Sequence, residues 1–166
     1  MIKSSLLLAA TTFFSLIMKG QSFPEYGIIN QEEKLLKECK FDKEAEAIYL
    51  LHEGVSNYNE QYNLITEHHV RIKILKEKGI EYANITIPFY SGDDFEFISD
   101  IEGLVINYDS DGNRSDQKLD KKTIYTKKMT KYHSQVRFAF PSVKVGSIIE
   151  YKYKSTMKSY GGLDDW

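Results

Sequence analysis

The chain has 166 residues, with 22 Lys and Arg against 24 Asp and Glu and a formal net charge of −2. No net basic field is available to attract phosphates, so nucleic acid is excluded as the expected partner. The single cysteine, Cys39, excludes an internal disulfide, and in an exported protein fits a bacterial periplasm or surface better than a disulfide-stapled module.

Lys3 supplies a positive n-region, Leu6 to Met18 an apolar run, and Gly20-Gln21-Ser22 a small-x-small cleavage site. Residues 1–22 are therefore expected to be a signal peptide, cut after Ser22, or after Gly20 because Lys19 lies so close. The run is too short to span a bilayer, and no later run is long enough. The expected location is the periplasm or the cell surface. Cleavage removes Lys3 and Lys19 but no acid, so the remainder is more acidic than the whole. It is one domain's worth of chain, able to bury a core without metal or disulfide.

Residues 23–44 read as a lead and a short helix. Asn30 and Glu33 have capping-box spacing, and Leu35, Leu36 and Cys39 form one apolar stripe, which predicts a helix over Gln31 to Lys40. Ile48 to Leu51 is the first predicted strand, with Glu53-Gly54 as its turn. From Leu64 the side chains alternate. Leu64, Thr66, His68, Val70, Ile72 and Ile74 make a face that is mostly core. Ile65, Glu67, His69, Arg71, Lys73 and Leu75 make one that is mostly solvent. Glu77-Lys78-Gly79 reads as a hairpin turn, answered by a strand over Ala83 to Pro88 whose proline belongs at an edge or a bulge.

Ser91 to Asp94 is a loop. Phe95 to Ile98 and Glu102 to Tyr108 are strand candidates. Asp109-Ser-Asp-Gly-Asn113 is a turn, because Asp-Gly supplies positive φ. Lys121 to Met129 and Gln135 to Phe140 are extended. Pro141 and Gly146 punctuate the entry to a closing strand over Ser147 to Met157, with Ile149, Tyr151 and Tyr153 inward and Glu150, Lys152 and Lys154 toward solvent. Six to nine short strands with one N-terminal helix predict a mainly β fold: an antiparallel β-sandwich, or an open barrel.

Candidate chemistry is sparse. Cys39, with Lys37 and Lys40 nearby, is the one possible thiol nucleophile, but no base can be placed beside it. It reads better as a small apolar residue docking the helix. His68-His69 point to opposite faces of a strand and cannot both hold one ion, and Arg71 shares the face of His69. Asp109, Asp111 and Asp116 lack calcium-loop spacing. Asp93, Asp94 and Glu96 form an acidic loop cluster with no fixed separation. Of twelve tyrosines, Tyr58, Tyr62, Tyr90 and Tyr160 lie near loops and are candidates for stacking on sugars. The basic run from Lys121 to Lys128 reads as a solvated face. No catalytic, cofactor or metal site is assigned.

Three stretches carry a resemblance: His69-Val-Arg-Ile-Lys-Ile-Leu-Lys-Glu-Lys-Gly79, Ile85-Thr-Ile-Pro-Phe89, and Phe138-Ala-Phe-Pro-Ser-Val-Lys-Val-Gly-Ser-Ile-Ile-Glu-Tyr151. In order and spacing they resemble domain-of-unknown-function family 3857 of exported Gram-negative proteins, from about Ala45 to Trp166. The resemblance implies a β-sandwich-like module that precedes a transglutaminase-like domain with a Cys-His-Asp site. No residue here matches that triad, and the chain stops at Trp166 where members of the family continue, so a truncated domain is expected over 45–166. The expected function is a non-catalytic accessory or binding module beside such a cysteine peptidase or cross-linking domain. Its partners would be that domain, a cell-envelope protein or a glycan. The alternative is a carbohydrate-binding module.

Overall fold

The computed structural model describes residues 24–158, so the predicted signal peptide and Tyr160 lie outside the described residues. The fold is mainly β, in two antiparallel sheets. The strands are β1 (Ala47–Tyr58), β2 (Leu64–Ile74), β3 (Asn84–Tyr90), β4 (Glu96–Tyr108), β5 (Arg114–Lys118), β6 (Tyr125–Lys128), β7 (His133–Ala139) and β8 (Ile148–Met157). One sheet has the order β1-β2-β8-β4-β5 and the other β3-β7-β6. The two stack as an incomplete sandwich, not as a closed barrel.

The core lies between the sheets. Val70, Ile72 and Ile74 of β2, Ile149 and Tyr151 of β8 and Val105 of β4 meet Ile85 and Ile87 of β3 and Val136 and Phe138 of β7. These are the alternate positions that a half-buried strand devotes to the core. Phe140 closes one end by laying its ring on Gly103. A Cβ there would stand 2.6 Å from the ring, so only glycine admits the contact. Pro88 sits on β3, an edge strand, as its missing N–H requires.

Several expectations are corrected. Glu53 and Gly54 are not a turn: they sit within β1, opposite His69 and His68, and β1 contains a bulge between Tyr49 and Leu51. The reversal comes later, where Asn59 Oδ1 accepts from the backbone N–H groups of Gln61 and Asn63 and Tyr62 takes φ 58°. Glu77-Lys78-Gly79 does not close a hairpin, because β2 and β3 belong to different sheets. Residues Glu77–Ala83 form a 3-10 corner that carries the chain across. Gly79 approaches the Glu46 carbonyl so closely that a Cβ would lie 2.1 Å from its oxygen.

The helix α1 spans only Gln31–Leu35, with the expected capping box: Asn30 Oδ1 accepts from Glu33 N–H, and Glu33 Oε2 accepts from Asn30 N–H. Cys39 is therefore past the helix, not on it. It is 2 % exposed and forms no disulfide among the described residues. Among the described residues no helix is long and apolar enough to cross a membrane.

Candidate functional site

The densest polar chemistry lies on the outer face of the five-stranded sheet, on the face expected to meet solvent. His69, Arg71 and Lys73 of β2 and Glu150 of β8 are all buried there. Register brings them together: Arg71 is the cross-strand partner of Glu150, and His69 sits opposite Glu53 of β1. What buries them is the N-terminal lead. Residues 24–36 lie over this face as a strap, with Tyr26 and Ile29 packed on Leu104, Ile106 and Ile148.

Each charged group has an opposite charge or a backbone group to hold. Arg71 Nη1 donates to both Glu33 oxygens at 2.8 and 2.9 Å, and Nη2 donates to Glu150 Oε1 at 2.8 Å and to the Glu25 carbonyl at 3.0 Å. Glu33 thus caps α1 and clamps Arg71 at once. Glu150 Oε2 accepts from Gly27 N–H at 2.9 Å, the tightest tie to the strap's backbone turn. His69 Nε2 faces Glu150 Oε1 at 2.6 Å and Nδ1 faces Glu53 Oε1 at 3.2 Å. Each ring nitrogen of His69 thus faces a carboxylate oxygen. Lys73 Nζ donates to the Lys34 carbonyl, and Lys34 reaches the Gly112 carbonyl and the Tyr108 ring.

Burial alone would raise the pKa of Glu150. The hydrogen bonds from His69 and Arg71, the Arg71 charge and the Gly27 N–H outweigh it and hold the carboxyl below its ordinary value. Burial pushes Lys73 down, opposed by the Glu33 charge. The side chains of Arg71 and Glu150 are 0 % exposed. A carboxylate and a guanidinium so covered, and spent on each other, have no free face to offer a substrate. This cluster works as a clasp between strap and sheet.

The other candidates are dispersed. His68 and His69 do point to opposite faces, and His68 stacks on Tyr153 at 4.2 Å inside the sandwich. Asp109 accepts from Asn113 Nδ2 and from the Asn113 and Asp111 N–H groups, and these bonds, the side-chain one first, hold its carboxyl below its usual value: it builds the turn. Asp116 pairs with Arg114 at 2.6 Å. Glu96 leaves its acidic neighbours to accept from Tyr90 N–H at 2.7 Å. Among the described residues no group of three or more His, Cys, Asp or Glu side chains is arranged to hold a metal ion. Tyr58 and Tyr62 flank the β1–β2 reversal. Tyr90 lies with Tyr132, rings parallel and 6.0 Å apart, and with Phe95.

Accessible concavities lie elsewhere among the described residues, one of them along β3. A trough of about 390 Å³ opens beside β3, with Ile72 and Tyr151 on its floor. Tyr49 of β1 and Tyr82 before β3 stand at its mouth, 53 % and 43 % exposed, with Glu46 and Glu81 beside them. A second hollow of about 300 Å³ continues along β3 past Thr86 to Pro88 and His52. The sequence reading missed this site. Tyr49 and Tyr82 are separated by a whole strand and a corner, and nothing local marks them as neighbours.

A search of curated proteins gave no match. A solved structure described as a "putative protease" from Parabacteroides distasonis ATCC 8503 is similar at a TM-score of 0.55 and 12 % identity, over 69 % of this chain and 24 % of that one. At that identity the likeness is one of fold, and the chain spans about a quarter of that protein's length. The sequence model described as a domain of unknown function with a solved structure, DUF3857, matches residues 61–160, and the chain belongs to that family.

Proposed function

We propose that this chain is a non-catalytic β-sandwich module, exported to the periplasm or cell surface, that binds or positions a partner beside a transglutaminase-like domain, a cysteine peptidase or cross-linking enzyme. One observation carries the reading. The densest convergent set of acid, base and cation among the described residues, Glu33, His69, Arg71 and Glu150, is covered by the strap and paired internally, with Arg71 and Glu150 fully buried, while the open trough presents tyrosine rings and a strand edge. Recognition needs such a surface; bond-breaking needs a nucleophile and base within reach of substrate. The solved structure that shares the fold is described as a protease, which supports an accessory place beside an enzyme of that kind.

The test is to incubate the purified full chain with a peptide mixture and a primary-amine donor and to follow masses. The peptides should come back neither cleaved nor cross-linked. Turnover by the purified chain would overturn the non-catalytic reading, through Cys39 if it is lost in Cys39→Ala and through another group if it persists.

A second reading, a carbohydrate-binding module, draws on the part-exposed parallel pair Tyr90 and Tyr132. A glycan panel that shifts the ring resonances of this pair would favour it, and a panel without response would remove it.

A further inference from the structure

The free edge of β3 borders the trough, and its polar groups can be assigned. Phe140 N–H donates to Ala83, and Ser91 N–H to Tyr132, both across the β3–β7 register. In an antiparallel ladder the hydrogen-bonded pairs alternate. Ile85, Ile87 and Phe89 therefore bond to β7, while Asn84, Thr86, Pro88 and Tyr90 turn their backbone groups outward. Two of these are already met: Asn84 N–H donates to the Glu81 carbonyl and Tyr90 N–H to Glu96. The Thr86 N–H and carbonyl remain, with the Asn84 and Pro88 carbonyls on either side. That is one donor flanked by acceptors, over a length of about two residue pairs.

The side-chain surroundings are as specific. Beside β3 the inner face of the five-stranded sheet is left open, since Tyr49 of β1, Ile72 of β2 and Tyr151 of β8 line the trough there. Tyr82 lies close enough to Tyr49 to disfavour its ionisation: burial first, then Tyr82, raises the Tyr49 pKa. Glu81 makes no ion pair among the described residues, and Glu46 has only the exposed Lys78 at 4.0 Å. Two ring faces beside two under-compensated carboxylates suit a cation with an apolar stem.

From this juxtaposition we infer that the trough binds an extended peptide segment, added as a further strand to the free edge of β3, with a Lys or Arg side chain between Tyr49 and Tyr82 and toward Glu46 and Glu81. Backbone bonds at Thr86 supply register, and the acid-and-tyrosine mouth supplies the preference. Pro88 ends the ladder, so the recognised stretch is short. The inference rests on the reading of the chain as a binding module and names the ligand class of its open site.

The test uses three probes on the full chain, followed by amide and ring chemical shifts. They are acetyl-Thr-Val-Lys-Val-Thr-amide, the same peptide with Glu for Lys, and the Lys peptide N-methylated at both valines. The Lys peptide should shift the Thr86 amide and the Tyr49 and Tyr82 rings. The double variant Tyr49→Ala, Glu81→Gln should weaken it by about tenfold, one cation–π contact and one exposed ion pair together. The Glu and N-methylated peptides should bind more weakly still. Equal binding of the Lys and Glu peptides would overturn the cation site, and undiminished binding of the N-methylated one would overturn strand addition. Shifts at Thr86 that grow with protein concentration alone, with a dimer in sedimentation, would put a second copy in the trough and overturn the proposal. An intact but unbound peptide removes the ligand class only. A cleaved peptide removes the module reading beneath it.

Discussion

Replacing Glu150 by Gln takes one charge out of the clasp while keeping its shape. Glu150 accepts three hydrogen bonds, two of them from Arg71 and the His69 ring and one from Gly27 N–H. A Gln side chain has one oxygen, so at least one of these donors faces an amide N–H₂ instead. Breaking one side of a buried ion pair costs about 3–5 kcal/mol, much of it from the cation left behind. Here Arg71 keeps the two-pronged grip of Glu33, which puts the cost at the lower end, about 3 kcal/mol. Against a typical total of about 5–15 kcal/mol, the variant stays folded but loses a visible share of its stability. The assay is urea unfolding at neutral pH, wild type against Glu150→Gln, with unchanged denaturant slope. A double-mutant cycle with Arg71→Met should show coupling above about 1 kcal/mol. A loss under about 1 kcal/mol, or additivity in the cycle, would refute the clasp. The same group sets an acid limb. Its folded pKa lies below the ordinary value of 4.5, so the unfolded chain binds the proton first. Its contribution is complete above pH 4.5 and is lost as pH falls through the folded value. Glu150→Gln should flatten that limb in a melting-temperature profile.

The remaining predictions concern the strap, the core and the thiol. Glu33→Gln weakens both the cap and the grip on Arg71, and should cost about 2 kcal/mol. Hydrogen exchange should show the Gly27 amide opening faster, and an unchanged rate there would contradict the strap's attachment. Gly103→Ala drives a methyl to within 2.6 Å of the Phe140 ring and should cost about 1–3 kcal/mol in urea unfolding. A neutral result would mean Phe140 is not seated as described. Cys39, at 2 % exposure, should resist an aromatic disulfide reagent in the native chain and react fully in urea. Prompt native reaction would show that its cover opens.

The strand pattern was legible because alternation is a local property. β2 and β8 lie close to their predicted spans, the Asn30–Glu33 box is present, and Pro88 is on an edge. The outer face of β2 was misread for a definite reason. His69, Arg71 and Lys73 are polar by composition, and a period-2 rule sends polar residues to solvent. Their burial depends on register with Glu150, some eighty positions away, and on a strap folded back over them; neither is a local property. A hint was available: Tyr26, Ile28 and Ile29 make the lead too apolar for a free tail, and Tyr26 and Ile29 do pack. The hairpin at Glu77-Lys78-Gly79 failed likewise, since turn residues mark a change of direction but not which sheet receives the next strand. The trough is lined from both sheets, an arrangement that no window of sequence contains.

The molecule has a clasp that ties the strap to the sheet and a trough proposed to recognise a partner. The direct measurement is the affinity of acetyl-Thr-Val-Lys-Val-Thr-amide for two variants side by side, Tyr49→Ala with Glu81→Gln, and Glu33→Gln. A loss of about tenfold is expected in the first and wild-type affinity in the second, despite its lower stability. Affinity lost in Glu33→Gln and kept in the trough variant would contradict this, and would place recognition at the strap.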